Sequence, residues 1–179
     1  MSTIDSFILL AKYNQLMNQR QYAAAATLPL TELQADKGAF FKSILGTLNH
    51  ILIGDIIWLK RFAQHPSSEK ALAPVTQFQQ PKSLNDTIFT DLNKLRVERE
   101  KLDQVIVEWV SQLTDCDLEK CITYSNMAGE SFSKNYQSLI HHLFLHQVHH
   151  RGQITTLLSQ CGVDFGETDL IEIIDHCDI

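Results

Sequence analysis

Apolar residues recur at helical spacing along most of the chain and divide it into four long segments. The first runs from about Ile4 to Ala26 and is followed by Pro29, which cannot donate the hydrogen bond a continuing helix needs. The second begins between Asp36 and Ser43, passes through Leu48-Asn49-His50-Ile51-Leu52 and Trp58-Leu59, and stops before Pro66. A connection containing Pro66, Pro74 and Pro81 follows. Ser83 and Asp86 have the spacing of a capping box. Behind them Ile88, Leu92, Leu95, Leu102, Ile106, Trp109 and Leu113 step by threes and fours, which predicts the third helix. From Asp115 to Ser133 the rhythm fails; Ile122-Thr123-Tyr124 suits a short strand and Ala128-Gly129 a turn. The fourth helix is predicted from about Asn135 to Gln160, with Gly162 as its C-cap, and Asp169 to Ile174 in the tail as a final turn or strand.

Four amphipathic helices in 179 residues predict an all-α fold, a four-helix bundle forming a single domain over residues 1–179. The 44% hydrophobic content is enough for one sizeable core. The connection between the second and third helices is long enough for either antiparallel or crossover topology, and periodicity does not choose between them. A formal charge of −6 with scattered basic residues argues against nucleic acid as a partner. No apolar run reaches membrane-spanning length. Phe7 to Ala11 is too short, and lacks the preceding positive charge, for a signal peptide. Cys116, Cys121, Cys161 and Cys177 are too few and too unevenly spaced for a disulfide framework, so unpaired thiols in a reducing cytoplasm are expected, with Cys121 and Cys161 buried.

The chemistry concentrates in the fourth helix. Leu139, Leu143, His146, His150, Gln153 and Leu157 follow the seam rhythm, so two histidines stand where hydrophobes belong. Four residues apart, their imidazoles project from one face and can converge on one ion. Burying both without partners in an apolar seam would cost several kcal/mol. His50 is the only histidine inside the second helix, with Gly54 one turn on leaving room beside it for a ligand. Taken alone His50 also fits an ordinary core histidine. His142 and His149 flank the seam as boundary residues or as partners that orient a ligand, with direct ligation of the ion as the alternative, and His141, His65 and His176 read as solvent histidines. Arg99 and Asn14 interrupt the seams of the third and first helices. Each is either a structural polar residue, Arg99 in an interhelical ion pair, or part of the pocket, with Arg99 orienting a substrate carboxylate. Arg151 is expected to pair with an acid such as Asp55.

Phe40 to His50 with Asp55, Trp58, Arg61 and Phe62, then His142 to Gln153, and Tyr13-Asn14 with Asn18, occur in the order of motifs in the DinB-like family of bacterial four-helix metalloproteins. The chain resembles that family over nearly its whole length. The resemblance implies up-down-down-up connectivity with a long crossover, a homodimer, and a nickel- or zinc-type divalent ion held by His50, His146 and His150. It also implies a small-molecule substrate, since the family includes metal-dependent transferases that use low-molecular-weight thiols, as well as hydrolase-like members. Three imidazoles leave a coordination position open, the catalytic pattern. The expected activity is therefore a metal-dependent thiol transferase or hydrolase. The alternative is a non-catalytic, metal-binding dimeric bundle associated with stress response.

Overall fold

The computed structural model describes residues 2–174; His176 and Cys177 lie outside the described residues. Four long helices form the bundle: α1 (Thr3–Ala25), α3 (Ile44–Phe62), α4 (Leu92–Val110) and α6 (Tyr136–Gln160). Two short helices, α2 (Leu30–Gln34) and α5 (Asp115–Leu118), lie in the connections, and strands β1 (Cys121–Ser125) and β2 (Ser131–Asn135) pair as an antiparallel hairpin before α6. The ends obey local chemistry. Ser2 and Asp5 cap α1 reciprocally, Ser43 Oγ accepts from the Gly46 amide at the start of α3, and Asn135 caps α6. Helix α6 closes as anticipated at Gly162, whose φ of +75° lets the Val163 amide reach the Leu158 carbonyl and its own amide reach that of Ser159. The tail ends in a 3-10 turn, Leu170–Ile173, held to α1 by Arg20 through the Glu167 carbonyl and the Glu172 carboxylate.

Cross-helix pairs fix the directions. Asn18 meets Asp103, and Phe7 and Asn14 meet Phe144 and Arg151 respectively, so α6 runs parallel to α1. His50, Trp58 and Phe62 meet His150, His142 and Tyr136 in reverse order, so α3 and α6 are antiparallel. Asp55 and Phe62 meet Arg99 and Trp109 in the same order, so α3 and α4 are parallel. The connectivity is up-down-down-up, and residues 63–91 form the crossover. Helix α3 is buried nearly all round, which is why its polar residues Asn49, His50 and Asp55 are interior.

A polar core links all four helices. Asp55 on α3 accepts from Arg99 Nη1 of α4 at 2.5 Å and from Gln147 Nε2 of α6 at 2.7 Å. Asp103 pairs with Arg99 Nη2 at 2.9 Å and accepts from Asn18 Nδ2 of α1 at 2.9 Å. Among the described residues no helix is long and apolar enough to cross a membrane.

Four expectations need correction. Helix α4 starts at Leu92, behind the cap residue Asp91, whose side chain accepts from the Lys94 amide, and not at Ser83. Asp86 instead closes a turn on the Lys82 and Thr87 amides, and the buried Asn49 amide pairs with both backbone groups of Phe89, holding that segment outside the helix. Two tertiary hydrogen bonds thus override a local start signal. His65 is buried, stacked 4.9 Å from the Tyr136 ring with Nδ1 2.7 Å from Ser67 Oγ, because the chain folds back over it after Pro66. Arg151 pairs with Asn14 and lies over the Tyr13 ring; Asp55 is already taken by Arg99 and Gln147. Cys121 is exposed at an outward position of β1 and Cys161 is half-buried; with Cys116 they are free thiols.

Candidate metal centre

The antiparallel crossing of α3 and α6 brings the three seam histidines together. One nitrogen from each of His50, His146 and His150 lies within 4.8 Å of the others. His50 Nε2 and His146 Nε2 are 3.1 Å apart, close enough to share one ion at metal–nitrogen bonds of roughly 2.0–2.1 Å. The close approach depends on Gly54. A Cβ there would stand 2.8 Å from His146 Cε1, so the space Gly54 opens is occupied by the His146 ring itself.

Two of the rings are oriented from behind. His50 Nδ1 is 2.9 Å from the Leu84 carbonyl, which can only accept, so Nδ1 carries the hydrogen and Nε2 presents a lone pair. His150 Nδ1 is held in the same way by Gln153 Oε1 at 2.8 Å. Phe41 stacks on the His50 ring at 3.7 Å and 16° and meets His150 edge-on, closing one side of the cluster. His146 Nδ1 is buried with no partner among the described residues. Desolvation, followed by the neighbouring His150, His50, His142 and His149, pulls the His146 imidazole down to about 3. Desolvation also lowers His50 and His150, with the Leu84 carbonyl and Gln153 opposing it in turn. All three are neutral at physiological pH, the form that ligates a metal. Three convergent, neutral imidazoles, two of them oriented, fit a divalent ion.

A cleft of about 550 Å³ opens beside the cluster, with His50 and His146 in its wall and Trp58, Arg61, Tyr124, Met127, Phe132 and His142 around it. Its size suits a small molecule. A hollow of about 370 Å³ shares Phe41 but holds none of the histidines.

His142 therefore lines the cleft, with its ring 5.1 Å from Trp58, and stands outside the three-nitrogen group. His149 is exposed beside Gln153, and His141 is exposed against Phe7. Arg99 and Asn14 line no part of the cleft; both belong to the structural polar interior. Gln153, three residues beyond His150 on the same face, was legible as a partner from its spacing. The Leu84 carbonyl was not, because it is a backbone group brought in by the crossover.

An up-down-down-up bundle with three inward imidazoles from an antiparallel helix pair defines a class: a four-helix protein whose histidine cluster could hold a metal ion. Residues 1–176 match the DinB family, and the chain belongs to it. It is 24% identical over 165 residues to Protein DinB of Bacillus subtilis (strain 168), covering 92% of this chain and 91% of that protein. Its fold is similar to the crystal structure of a DinB-like protein from Bacillus cereus ATCC 10987. The TM-score is 0.57 at 19% identity, over 92% of this chain and 94% of that one.

Proposed function

We propose that His50, His146 and His150 bind one divalent metal ion, nickel or zinc. On this reading the protein is a metal-dependent transferase or hydrolase, adding a thiol or water to an electrophilic small molecule in the adjacent cleft. The observation that carries this reading is the pairing of the three-imidazole cluster, two of its rings oriented by partners, with an open cleft on one side and Phe41 on the other. A bound divalent ion supplies Lewis acidity that brings a thiol or water close to deprotonation at neutral pH. The chain's own part is positional. Leu84 and Gln153 hold two rings in register, Phe41 excludes water from one face, and the cleft confines the reacting molecule against His146. Imidazole donors suit nickel and zinc alike.

Leu145 and Val148, exposed one turn apart on α6, support a homodimer; sedimentation as a monomer at micromolar concentration would remove that part. The central test is elemental analysis of protein purified without chelators, with His50→Ala and His150→Ala beside it. Turnover is then assayed with low-molecular-weight thiols and with ester substrates. One equivalent of metal in the wild type, lost in both variants, and metal-dependent turnover are expected. Metal-free wild type would overturn the metal site. Stoichiometric metal with no turnover of any thiol or ester would favour the non-catalytic bundle.

A further inference from the structure

We propose that the cleft receives a small molecule carrying a carboxylate on an apolar body, and that Arg61 recognises the carboxylate. The inference deepens the proposed function and rests on it for the placement of this molecule beside the reacting centre. Arg61 Cζ lies 4.6 Å from the Trp58 ring centroid and 4.9 Å from that of Tyr124. Both rings hold the cation through their π faces and accept none of its in-plane N–H bonds as a carboxylate would. Among the described residues Arg61 has no carboxylate partner. The contrast with Arg99 is direct. There the fold buries an arginine and supplies both Asp55 and Asp103 to neutralise it.

The surroundings reinforce the point. Among the described residues no aspartate or glutamate lines the cleft, although the chain carries a net charge of −6. A second cation, Lys134, stands on β2 with Nζ 5.6 Å from the Phe132 ring, also without an acidic partner among the described residues. Pairing of Ile122 with Lys134 and of Tyr124 with Phe132 puts these side chains on the hairpin face turned toward α3. Glu130 in the hairpin turn is engaged by Asn126 Nδ2 at 2.7 Å and does not enter the lining. Trp58, Tyr124, Met127 and Phe132 supply the apolar wall, so the cleft joins one fixed guanidinium to an aromatic surface. A planar anion meets the guanidinium edge in two parallel hydrogen bonds while its apolar part lies on the rings.

The test compares 3-phenylpropanoate with its neutral analogue 3-phenylpropanamide by saturation-transfer NMR titration of the metal-loaded protein. Wild type is expected to bind the carboxylate at least about tenfold more tightly, from the strength of a charge-assisted hydrogen bond. The preference should fall toward one in Arg61→Gln and by about two- to threefold in the exposed variant Lys134→Gln, where only a screened charge is removed. In wild type it should also shrink between low and high salt while amide binding stays constant. Metal content is measured on every sample. Equal binding of the two probes, or no binding of either at millimolar concentration, overturns the inference. So does a preference that survives in Arg61→Gln or vanishes when the metal is chelated, since the carboxylate is then on the ion. Wild type without metal but with an Arg61-dependent preference would sink the metal reading alone; metal-replete wild type with no preference would sink this one alone.

Discussion

Replacing Gly54 with alanine separates what stabilises the bundle from what builds the site. The new Cβ would meet His146 Cε1 at 2.8 Å, whereas carbon atoms in comfortable contact lie about 3.5–4.0 Å apart, so the ring must move by roughly 0.7 Å. Cε1 is bonded to Nε2, and a shift of that size is several times the tolerance of about 0.2 Å on a metal–nitrogen bond. The imidazole borders the cleft and can swing into it, so the clash is relieved without compressing the core. In the other direction, alanine in a helix interior is favoured over glycine by about 1 kcal/mol. The expected variant, stripped of metal, unfolds at the same or a higher urea concentration than wild type, by up to about 1 kcal/mol. Its metal affinity falls by about tenfold or more, the scale of loss seen when a group that positions a metal ligand is changed. Zinc competition against a chromophoric chelator and urea denaturation of chelated protein measure the two effects. Wild-type affinity in the variant would refute the claim that Gly54 exists to admit the His146 ring.

The remaining predictions concern the network, the crossover and pH. Asp55→Ala leaves Arg99 buried with Asp103 as its one carboxylate and should cost about 3 kcal/mol in urea unfolding; a loss under 1 kcal/mol would show the pair to be dispensable. Asn49→Ala removes both hydrogen bonds to Phe89 and should cost about 2 kcal/mol, with faster amide hydrogen exchange at residues 84–89; unchanged exchange there would mean the crossover is anchored elsewhere. The folded-state pKa of His146 is depressed, so below the unfolded value near 6.5 the unfolded chain binds more protons than the native one. The contribution of neutral His146 is therefore complete above about pH 6.5 and is lost as pH falls toward about 3. Denaturation midpoints of chelated wild type should drop more between pH 7.5 and pH 5, values chosen to bracket about 6.5, than those of His146→Gln. Parallel profiles would contradict the assignment.

Much of this architecture is local, and local physics is written in sequence. The apolar rhythm marks four helices because a helix must bury one stripe, and Gly162 ends α6 because few other residues accept its left-handed backbone. His146 and His150 stand out since two imidazoles in an apolar seam need a shared reason to be there. Other features depend on what distant segments bring. Whether His50 joins the pair depends on the antiparallel packing of α3 against α6, and the ring is turned by a backbone carbonyl at Leu84, a group every residue possesses and no pattern distinguishes. The false start at Ser83 has the same cause, since side chain hydrogen bonds from Asn49 outweigh a local capping signal. Gln147 and Asp103 read as ordinary polar residues until four helices converge on them. Sequence alone determined the helices, the seam and the candidate ligands on α6. The third ligand's orientation, the buried ion-pair network and the cleft beside Arg61 were decided only in three dimensions, because each is a contact between residues far apart in the chain.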